Sequence, residues 1–150
     1  EYEQIIKSAS KKCDYLIAYI HWGNEDTNQY SESQAEQGRQ FLQSGADIVV
    51  GGHPHVLQGI EYMDGKPVIY SMGDFWFNDE TKYNGLLRLT VEYGGLKEMA
   101  FVPCFQTEYT TQYLKEQQEK REMFDFLENL SPNAVIDDDG VITEDDRNTL

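Results

Sequence analysis

The sequence predicts an α/β fold in which one βαβ unit is followed by antiparallel hairpins and a C-terminal helix. Two apolar runs, residues 14–20 and 46–50, are continuous enough to be strands of a parallel sheet covered on both faces. A segment with helical spacing of apolar residues separates them, and strands joined through a helix run parallel. Later segments of alternating polarity flank short glycine-containing turns, which is the pattern of hairpins.

The βαβ unit has boundaries that can be read from single residues. Residues 2–12 carry apolar side chains at helical spacing and predict the end of a helix before the first strand. Ser31 is suited to cap the connecting helix with Gln34 as its capping-box partner, and Gly45 is suited to end that helix. We therefore expect two adjacent parallel strands joined by a right-handed crossover.

Two hairpins are expected after the βαβ unit. Residues 56–63 and 67–72 flank the turn Asp64-Gly65-Lys66, and residues 86–93 and 96–105 flank the turn Gly94-Gly95. The second pair alternates more clearly between apolar and polar side chains, which favours antiparallel pairing with one wetter face.

The C-terminal part predicts a helix and a tail. Residues 112–130 are mostly polar, with an apolar side that gathers near the end of the expected helix. Asp137-Asp138-Asp139-Gly140 predicts a turn between short strands, followed by a disordered acidic end.

Charge and composition exclude several classes of function. The net charge of −15 argues against a nucleic-acid partner and against anionic membrane surfaces, because both would require basic residues. No apolar run approaches the ~20 residues needed to span a bilayer, so we expect the chain to be soluble. Cys13 and Cys104 are too few and too far apart for a disulfide framework or a cysteine zinc site.

The three histidines are placed where they can meet. His21 ends the first predicted parallel strand, and His53 and His55 follow the second. Ligands bind at the carboxyl edge of such sheets, where neighbouring strands lie ~4.8 Å apart. Three imidazoles there predict a transition-metal site, while histidines that cap turns or bond loop carbonyls remain the alternative. Carboxylates near these positions, which would add oxygen ligands, are Glu25, Asp26 and Asp74.

Aromatic residues cluster near the same positions. They are Trp22, Tyr70, Phe75, Trp76 and Phe77. They could line a substrate site, but apolar residues at strand ends more commonly close the core, so core packing is the favoured interpretation. Trp76 is the best candidate for exposure.

Three segments carry a resemblance to a known family. They are Ile20-His21-Trp22-Gly23-Asn24-Glu25, then residues 45–61 (GADIVVGGHPHVLQGIE), then residues 65–75 (GKPVIYSMGDF). In order and spacing they resemble the second half of bacterial capsule-biosynthesis proteins of the poly-γ-glutamate (CapA) type, a branch of the calcineurin-like metallophosphatases. The resemblance implies that residues 1–111 form the C-terminal half of a metallophosphatase-like layered sandwich, and that residues 112–150 add a helix and an acidic tail.

The resemblance also implies roles for individual residues. His21 matches the histidine of an H-W-G segment, and His53 and His55 match an H-x-H pair, all of which are metal ligands in the wider superfamily. The intact protein would hold a divalent transition metal (Mn, Fe or Zn), in a dimetal centre. Glu25 and Asp74 would then be catalytic acid/base groups or groups that support the ligands.

The function implied is capsule biosynthesis at the extracellular face of the cell membrane or the cell surface. The intact protein would be a metal-dependent hydrolase of the phosphatase type, acting on capsule polymer or a phosphorylated small molecule. Nothing before residue 21 matches the N-terminal ligand segments of such enzymes. We therefore expect this chain to supply half of the metal site, to be inactive alone, to need an N-terminal half as partner, and to oligomerise through an exposed sheet edge.

Two departures from the family pattern support an alternative. Gly52 stands where the family commonly has a histidine (G-H-H-P-H), and Asp74 stands where it commonly has an asparagine (G-N-F). The first removes a polar contact and the second adds a negative charge. Both slightly favour a non-catalytic cell-surface module that binds capsule polymer or assembly partners.

Overall fold

The computed structural model describes residues 1–77 and 81–145, and it confirms the α/β class. The helices within these residues are α1 (Tyr2–Ala9), α2 (Glu32–Gln43) and α3 (Gln117–Asn129). The strands are β1 (Ile17–His21), β2 (Ile48–Gly52), β3 (Ile60–Met63), β4 (Lys66–Ile69), β5 (Lys82–Glu92), β6 (Gly95–Thr107), β7 (Thr110–Tyr113), β8 (Ala134–Ile136) and β9 (Ile142–Glu144). None of the helices in the described part of the chain is long and apolar enough to span a membrane.

The first sheet has the strand order β1-β2-β4-β3. Strands β1 and β2 pair in parallel, with Ile17 opposite Ile48 and His21 opposite Gly52, so the predicted βαβ pairing is confirmed. The first hairpin is confirmed as well, because β3 and β4 are antiparallel. In addition, β4 pairs with β2 in parallel and thereby extends the parallel part of this sheet.

Helix α2 begins and ends as the sequence predicts. The Ser31 hydroxyl accepts a hydrogen bond from the Gln34 backbone N–H (3.2 Å), and the Gln34 side chain accepts one from the Ser31 N–H (3.0 Å). This capping box satisfies two backbone donors that a helix terminus otherwise leaves unpaired. Beyond the last helical residue, Gly45 adopts φ +114°, where a side chain would be strained and would also meet Ser10.

The two faces of the first sheet are covered differently. Helices α1 and α2 cover one face, where Ile6, Phe41, Val49 and Val68 belong to one buried cluster. On the other face a second cluster combines residues of the first sheet with residues of β6, α3, β8 and β9. Its buried members include Ile48, Val50, Ile69, Met99, Phe101, Phe124, Leu127, Ile136 and Ile142.

Strand β1 is less covered than the sequence predicts. It is the outer strand of its sheet, and the side chains of Ile17 and Tyr19 are 48% and 73% exposed. The interpretation of residues 14–20 as a strand covered on both faces is therefore wrong for one face. The neighbouring strand β2, which lies between β1 and β4, is covered throughout its apolar part.

The second sheet has the order β5-β6-β7, and its antiparallel β5–β6 hairpin confirms the second predicted turn. The expected helix over 112–130 is shorter than predicted, because residues 110–113 pair with β6 as β7 and the helix begins at Gln117. Strands β8 and β9 confirm the turn at 137–140. The predicted disordered end falls partly on residues 146–150, outside the described residues, and the division of the chain after residue 111 stays a prediction.

Candidate metal site

The three histidines lie next to one another at the carboxyl edge of the parallel strands. His21 is the last residue of β1, and His53 directly follows β2. The ring centroids of His21 and His53 are 4.4 Å apart, and those of His53 and His55 are 5.7 Å apart. His21 is exposed, while His53 and His55 are half-buried. Parallel pairing of β1 with β2 accounts for this convergence, because it brings both strand ends to the same edge.

The backbone that carries His53 and His55 is strained. Their φ angles are +101° and +61°, a region that residues other than glycine adopt at a cost of ~1–3 kcal/mol each. The carbonyl of Pro54, between them, accepts a hydrogen bond from the Asp26 N–H at 2.8 Å. This bond ties the His-Pro-His turn to the loop after β1. Backbone strain that the surroundings maintain is concentrated at functional sites, which favours a functional role for this turn.

Glu25, one of the carboxylates expected near the histidines, lies beside His53. Its Oε1 atom is 3.9 Å from Nε2 of His53. One donor atom each from Glu25, His53 and His55 all lie within 4.8 Å of one another, so these three residues form a group that could hold a metal ion. Two imidazoles and a carboxylate suit divalent transition metals. His21 stands beside this group rather than in it, and the assignments of His21 as a ligand and Glu25 as an acid or base stay predictions.

Asp74 contacts His55 directly. Its two carboxylate oxygens lie 2.9 and 3.1 Å from Nδ1 of His55. The side chains of His55 and Asp74 are 25% and 16% exposed, so this pair is shielded from much of the solvent. The catalytic role assigned to Asp74 from sequence stays a prediction, since the contact by itself is compatible with either a catalytic or a supporting role.

Two buried glutamines hold the loop that carries Glu25, and sequence reasoning missed the second of them. The Gln34 Nε2 donates to the Gln58 Oε1 (2.9 Å), and the Gln58 Nε2 donates to the Thr27 carbonyl (2.7 Å). Asn28 adds a bond from its Nδ2 to the Leu57 carbonyl at 2.8 Å. The available signal was a glutamine inside the otherwise apolar run Val56-Leu57-Gln58-Gly59-Ile60, because a buried amide must find partners.

The aromatic residues near the site divide into two groups. Trp22 and Tyr70 are 7% and 0% exposed, and the Trp22 Nε1 donates to the Tyr70 carbonyl at 2.9 Å, so core packing is confirmed for these two. Core packing is wrong for Phe75 and Phe77, which are 51% and 49% exposed, and Trp76 is 59% exposed. The predicted exposure of Trp76 is confirmed.

The exposed segment 75–77 is held firmly beside the histidines. The Phe77 ring centroid is 5.0 Å from that of His55. The Gln106 side chain accepts from the Phe77 N–H and donates to the Phe77 carbonyl, both at 2.8 Å. The Trp76 Nε1 donates to the Tyr109 carbonyl at 2.8 Å. These bonds order the backbone while leaving the three aromatic side chains at the surface.

A stacked tyrosine pair anchors the far end of the loop after β1. Tyr30 stacks on Tyr70 with ring centroids 3.7 Å apart, and both hydroxyls donate to Glu61 Oε2, at 3.2 Å and 2.7 Å. Burial, and then the negative charge of Glu61, raise the pKa of Tyr30 to about 12. The same causes, together with hydrogen bonding to Glu61, also raise the pKa of Tyr70. Both rings therefore stay neutral at ordinary pH and act as structural supports.

Gly52, the first departure from the family pattern, lies against the side chain of Tyr19. A Cβ there would lie 2.8 Å from the hydroxyl oxygen of Tyr19, the far end of an exposed side chain. The neighbouring Gly51 is different, since its Cβ would lie 2.1 Å from the Tyr70 carbonyl oxygen and 2.2 Å from the Trp22 Nε1. A side chain at position 52 would therefore need only Tyr19 to move.

Comparison with known proteins shows to which protein family the chain belongs. The profile of the family "Bacterial capsule synthesis protein PGA_cap" matches residues 1–79, which include Glu25, Asp74 and the three histidines. The chain therefore belongs to this family of bacterial capsule synthesis proteins.

Individual relatives agree with this assignment. The chain is 33% identical over 102 residues to the PGA biosynthesis protein CapA of Bacillus subtilis strain 168, covering 66% of this chain and 27% of the relative. It is 33% identical over 107 residues to the capsule biosynthesis protein CapA of Bacillus anthracis, covering 67% and 26%. It is 44% identical over 78 residues to the uncharacterized protein y4sH of Sinorhizobium fredii, covering 49% and 16%. The matched region thus spans about a quarter of the length of the Bacillus relatives.

Proposed function

We propose that this chain supplies part of a metal centre in a capsule-biosynthesis protein and that the complete protein is a metal-dependent hydrolase. One observation carries the proposal: donor atoms of Glu25, His53 and His55 lie within 4.8 Å of one another. The donor types fit a divalent ion such as Mn, Fe or Zn. When bound, such an ion supplies Lewis acidity for hydrolysis.

The chain's own residues have distinct tasks in this proposal. His53 and His55 provide nitrogen ligands from a strained turn, which keeps both rings at the sheet edge. Glu25 provides a carboxylate oxygen, and its negative charge offsets that of the cation. His21 is exposed and lies beside His53, which supports a role as a further ligand or as a contact to the substrate.

The remaining ligands of a dimetal centre would come from an N-terminal half of the longer protein. Strand β1 offers a place for it, because Ile17 and Tyr19 are exposed on the same face of this outer strand as His21. A second copy of this chain could instead pair with the outer edge of β1.

The substrate and location are proposed from the family. The relatives are capsule and PGA biosynthesis proteins, so we propose that capsule polymer of the poly-γ-glutamate type, or a phosphorylated small molecule, is the substrate. The complete protein would then act at the extracellular face of the membrane or the cell surface, where a capsule is assembled.

The test uses the complete protein that contains this chain. Metal content is measured by mass spectrometry, and hydrolysis is measured on panels of phosphoesters and γ-glutamyl amides. We expect His53→Ala and His55→Ala to lose both metal and hydrolysis, and Glu36→Gln, an exposed substitution on α2, to lose neither. Retention of metal by a His53→Ala/His55→Ala double variant would show that the proposed residues do not form the site.

A second candidate function rests on the exposed aromatic segment. Phe75, Trp76 and Phe77 present a ring surface next to His55, which suits a non-catalytic module that binds capsule polymer or an assembly partner. Polymer binding to the complete protein should fall in Trp76→Ala and persist in Tyr93→Ala, an exposed aromatic in the β5–β6 turn. Equal binding by both variants would exclude this surface.

A further inference from the structure

We propose that Asp74 is a positioning residue that fixes the tautomer of His55, so that Nε2 of His55 is the nitrogen available for a metal ion. The inference rests on the proposed metal site, which it deepens by assigning the atom through which His55 binds.

The chemistry of the pair decides the tautomer. Both oxygens of Asp74 approach Nδ1 of His55, at 2.9 and 3.1 Å. An ionised carboxylate only accepts hydrogen bonds, whereas each nitrogen of a neutral imidazole either donates or accepts. The proton therefore sits on Nδ1, and Nε2 keeps the lone pair that metal coordination requires.

The location of Asp74 agrees with a supporting role. Among the described residues, the group whose donor atoms all lie within 4.8 Å of one another contains Glu25, His53 and His55 but not Asp74. Asp74 thus touches one ligand without joining the set. Carboxylates that orient a metal-binding histidine through its other nitrogen occupy this kind of position.

The backbone before Asp74 holds its carboxylate in place. Gly73 adopts φ +68° and donates its N–H to the buried Ser71 hydroxyl at 3.2 Å. A Cβ at Gly73 would lie 3.2 Å from the Tyr83 carbonyl oxygen, so the turn is packed closely against β5. The His55 ring also contacts the Phe77 ring, at a centroid distance of 5.0 Å. The orientation of His55 is therefore set between Asp74 and Phe77.

Asparagine at position 74 would have nearly the same shape as aspartate, but it would not favour one tautomer of His55 over the other. Its amide offers both a donor and an acceptor, so it can bond either tautomer of His55. We expect Asp74→Asn to populate the tautomer with the proton on Nε2, which cannot bind a metal through that atom. Loss of a carboxylate that orients a histidine ligand typically lowers metal affinity by about 10- to 100-fold.

The test has a readout that needs no metal. In the metal-free 150-residue chain, long-range ¹H–¹⁵N spectra of the histidine rings report which nitrogen of His55 carries the proton. We expect Nδ1–H in the wild type and in the control Asp64→Asn, an exposed turn carboxylate, and a shift toward Nε2–H in Asp74→Asn. Zn²⁺ titration should show the corresponding loss of affinity, and Asp74→Glu should partly restore it.

The results of these experiments distinguish the positioning role of Asp74 from the proposed metal site. A wild-type His55 with its proton on Nε2 overturns the positioning role whatever the variants do, as does an Asp74→Asn chain with unchanged tautomer and Zn²⁺ affinity. Nδ1–H in the wild type and its loss in Asp74→Asn support the positioning role even where no Zn²⁺ binds. The metal site is then rejected only if the complete protein also holds no metal.

Discussion

The imidazole rings of His21 and His53 lie with their centroids 4.4 Å apart and their planes at 49°, across the paired ends of β1 and β2. His53 also belongs to the close group with Glu25 and His55, whereas His21 does not. From this arrangement we expect His53 to contribute more to metal binding than His21.

His53→Ala should therefore weaken Zn²⁺ binding more than His21→Ala. We expect a difference of at least about tenfold in Kd, or ~1.4 kcal/mol, because His53 belongs to the close donor group and His21 does not. Isothermal titration calorimetry on the chain and on both variants measures it. A larger loss in His21→Ala would place His21 in the ligand set ahead of His53.

Without an N-terminal half, the chain should bind Zn²⁺ only weakly. Three described donors, one of them an exposed glutamate, leave a cation incompletely ligated and partly in solvent. The complete protein should bind at least tenfold more tightly under the same conditions. Equal, tight, stoichiometric binding by the chain alone would mean that its own residues complete the site.

Gly51→Ala should destabilise the fold by about 1–3 kcal/mol, the usual range for overpacking a core. The added Cβ would lie 2.1 Å from the Tyr70 carbonyl oxygen and would disturb its bond with the Trp22 indole. Gly95→Ala is the control, since its Cβ would meet only the Glu92 carbonyl oxygen, at 3.7 Å. Urea unfolding compares the two variants, and equal midpoints would contradict the prediction.

Gln58→Leu should lower stability by about 1–3 kcal/mol, because it leaves the buried Gln34 amide and the Thr27 carbonyl without this partner. The loop with Glu25 should loosen, and Zn²⁺ affinity should fall with it. In a double-mutant cycle with Gln34→Leu, the two losses should not add. Strict additivity would show that the amides do not act together.

Stability should fall between about pH 10 and pH 12. The pKa of Tyr30 is raised to about 12 by burial and Glu61, and that of Tyr62 to about 12 by burial and then Glu144. Above the unfolded pKa of ~10, the unfolded chain releases protons that the folded chain still holds, so the free energy of unfolding decreases with pH until the folded groups also ionise. Urea unfolding at several pH values measures this slope, and Tyr30→Phe should make it shallower.

The exposed face of β1 should drive self-association. Ile17 and Tyr19 expose apolar surface on β1, which is an outer strand of its sheet within the described residues, and an outer strand can pair with another copy. Ile17→Lys/Tyr19→Lys should shift the chain toward monomer in light scattering, and Tyr93→Lys at the hairpin tip should not. A wild-type chain that is monomeric at high concentration would contradict this.

Local patterns in the sequence were sufficient to predict the order of the elements in the βαβ unit. Periodicity, the Ser31–Gln34 capping box and Gly45 delimited the βαβ unit, since caps and apolar spacing act within a few residues of chain. The same local information predicted the histidines at one edge, because the two strands are joined by a helix and must be parallel.

Only the tertiary structure decided which side chains meet at that edge. The Asp74–His55 contact, the place of Glu25 beside His53, and the bonds of Gln58 to the loop join residues from separate segments. They depend on how β4 pairs with β2 and how the loops fold back, and no periodicity reports such long-range pairing. The same holds for β7, which forms where the sequence favoured a helix because pairing with β6 satisfies its backbone groups.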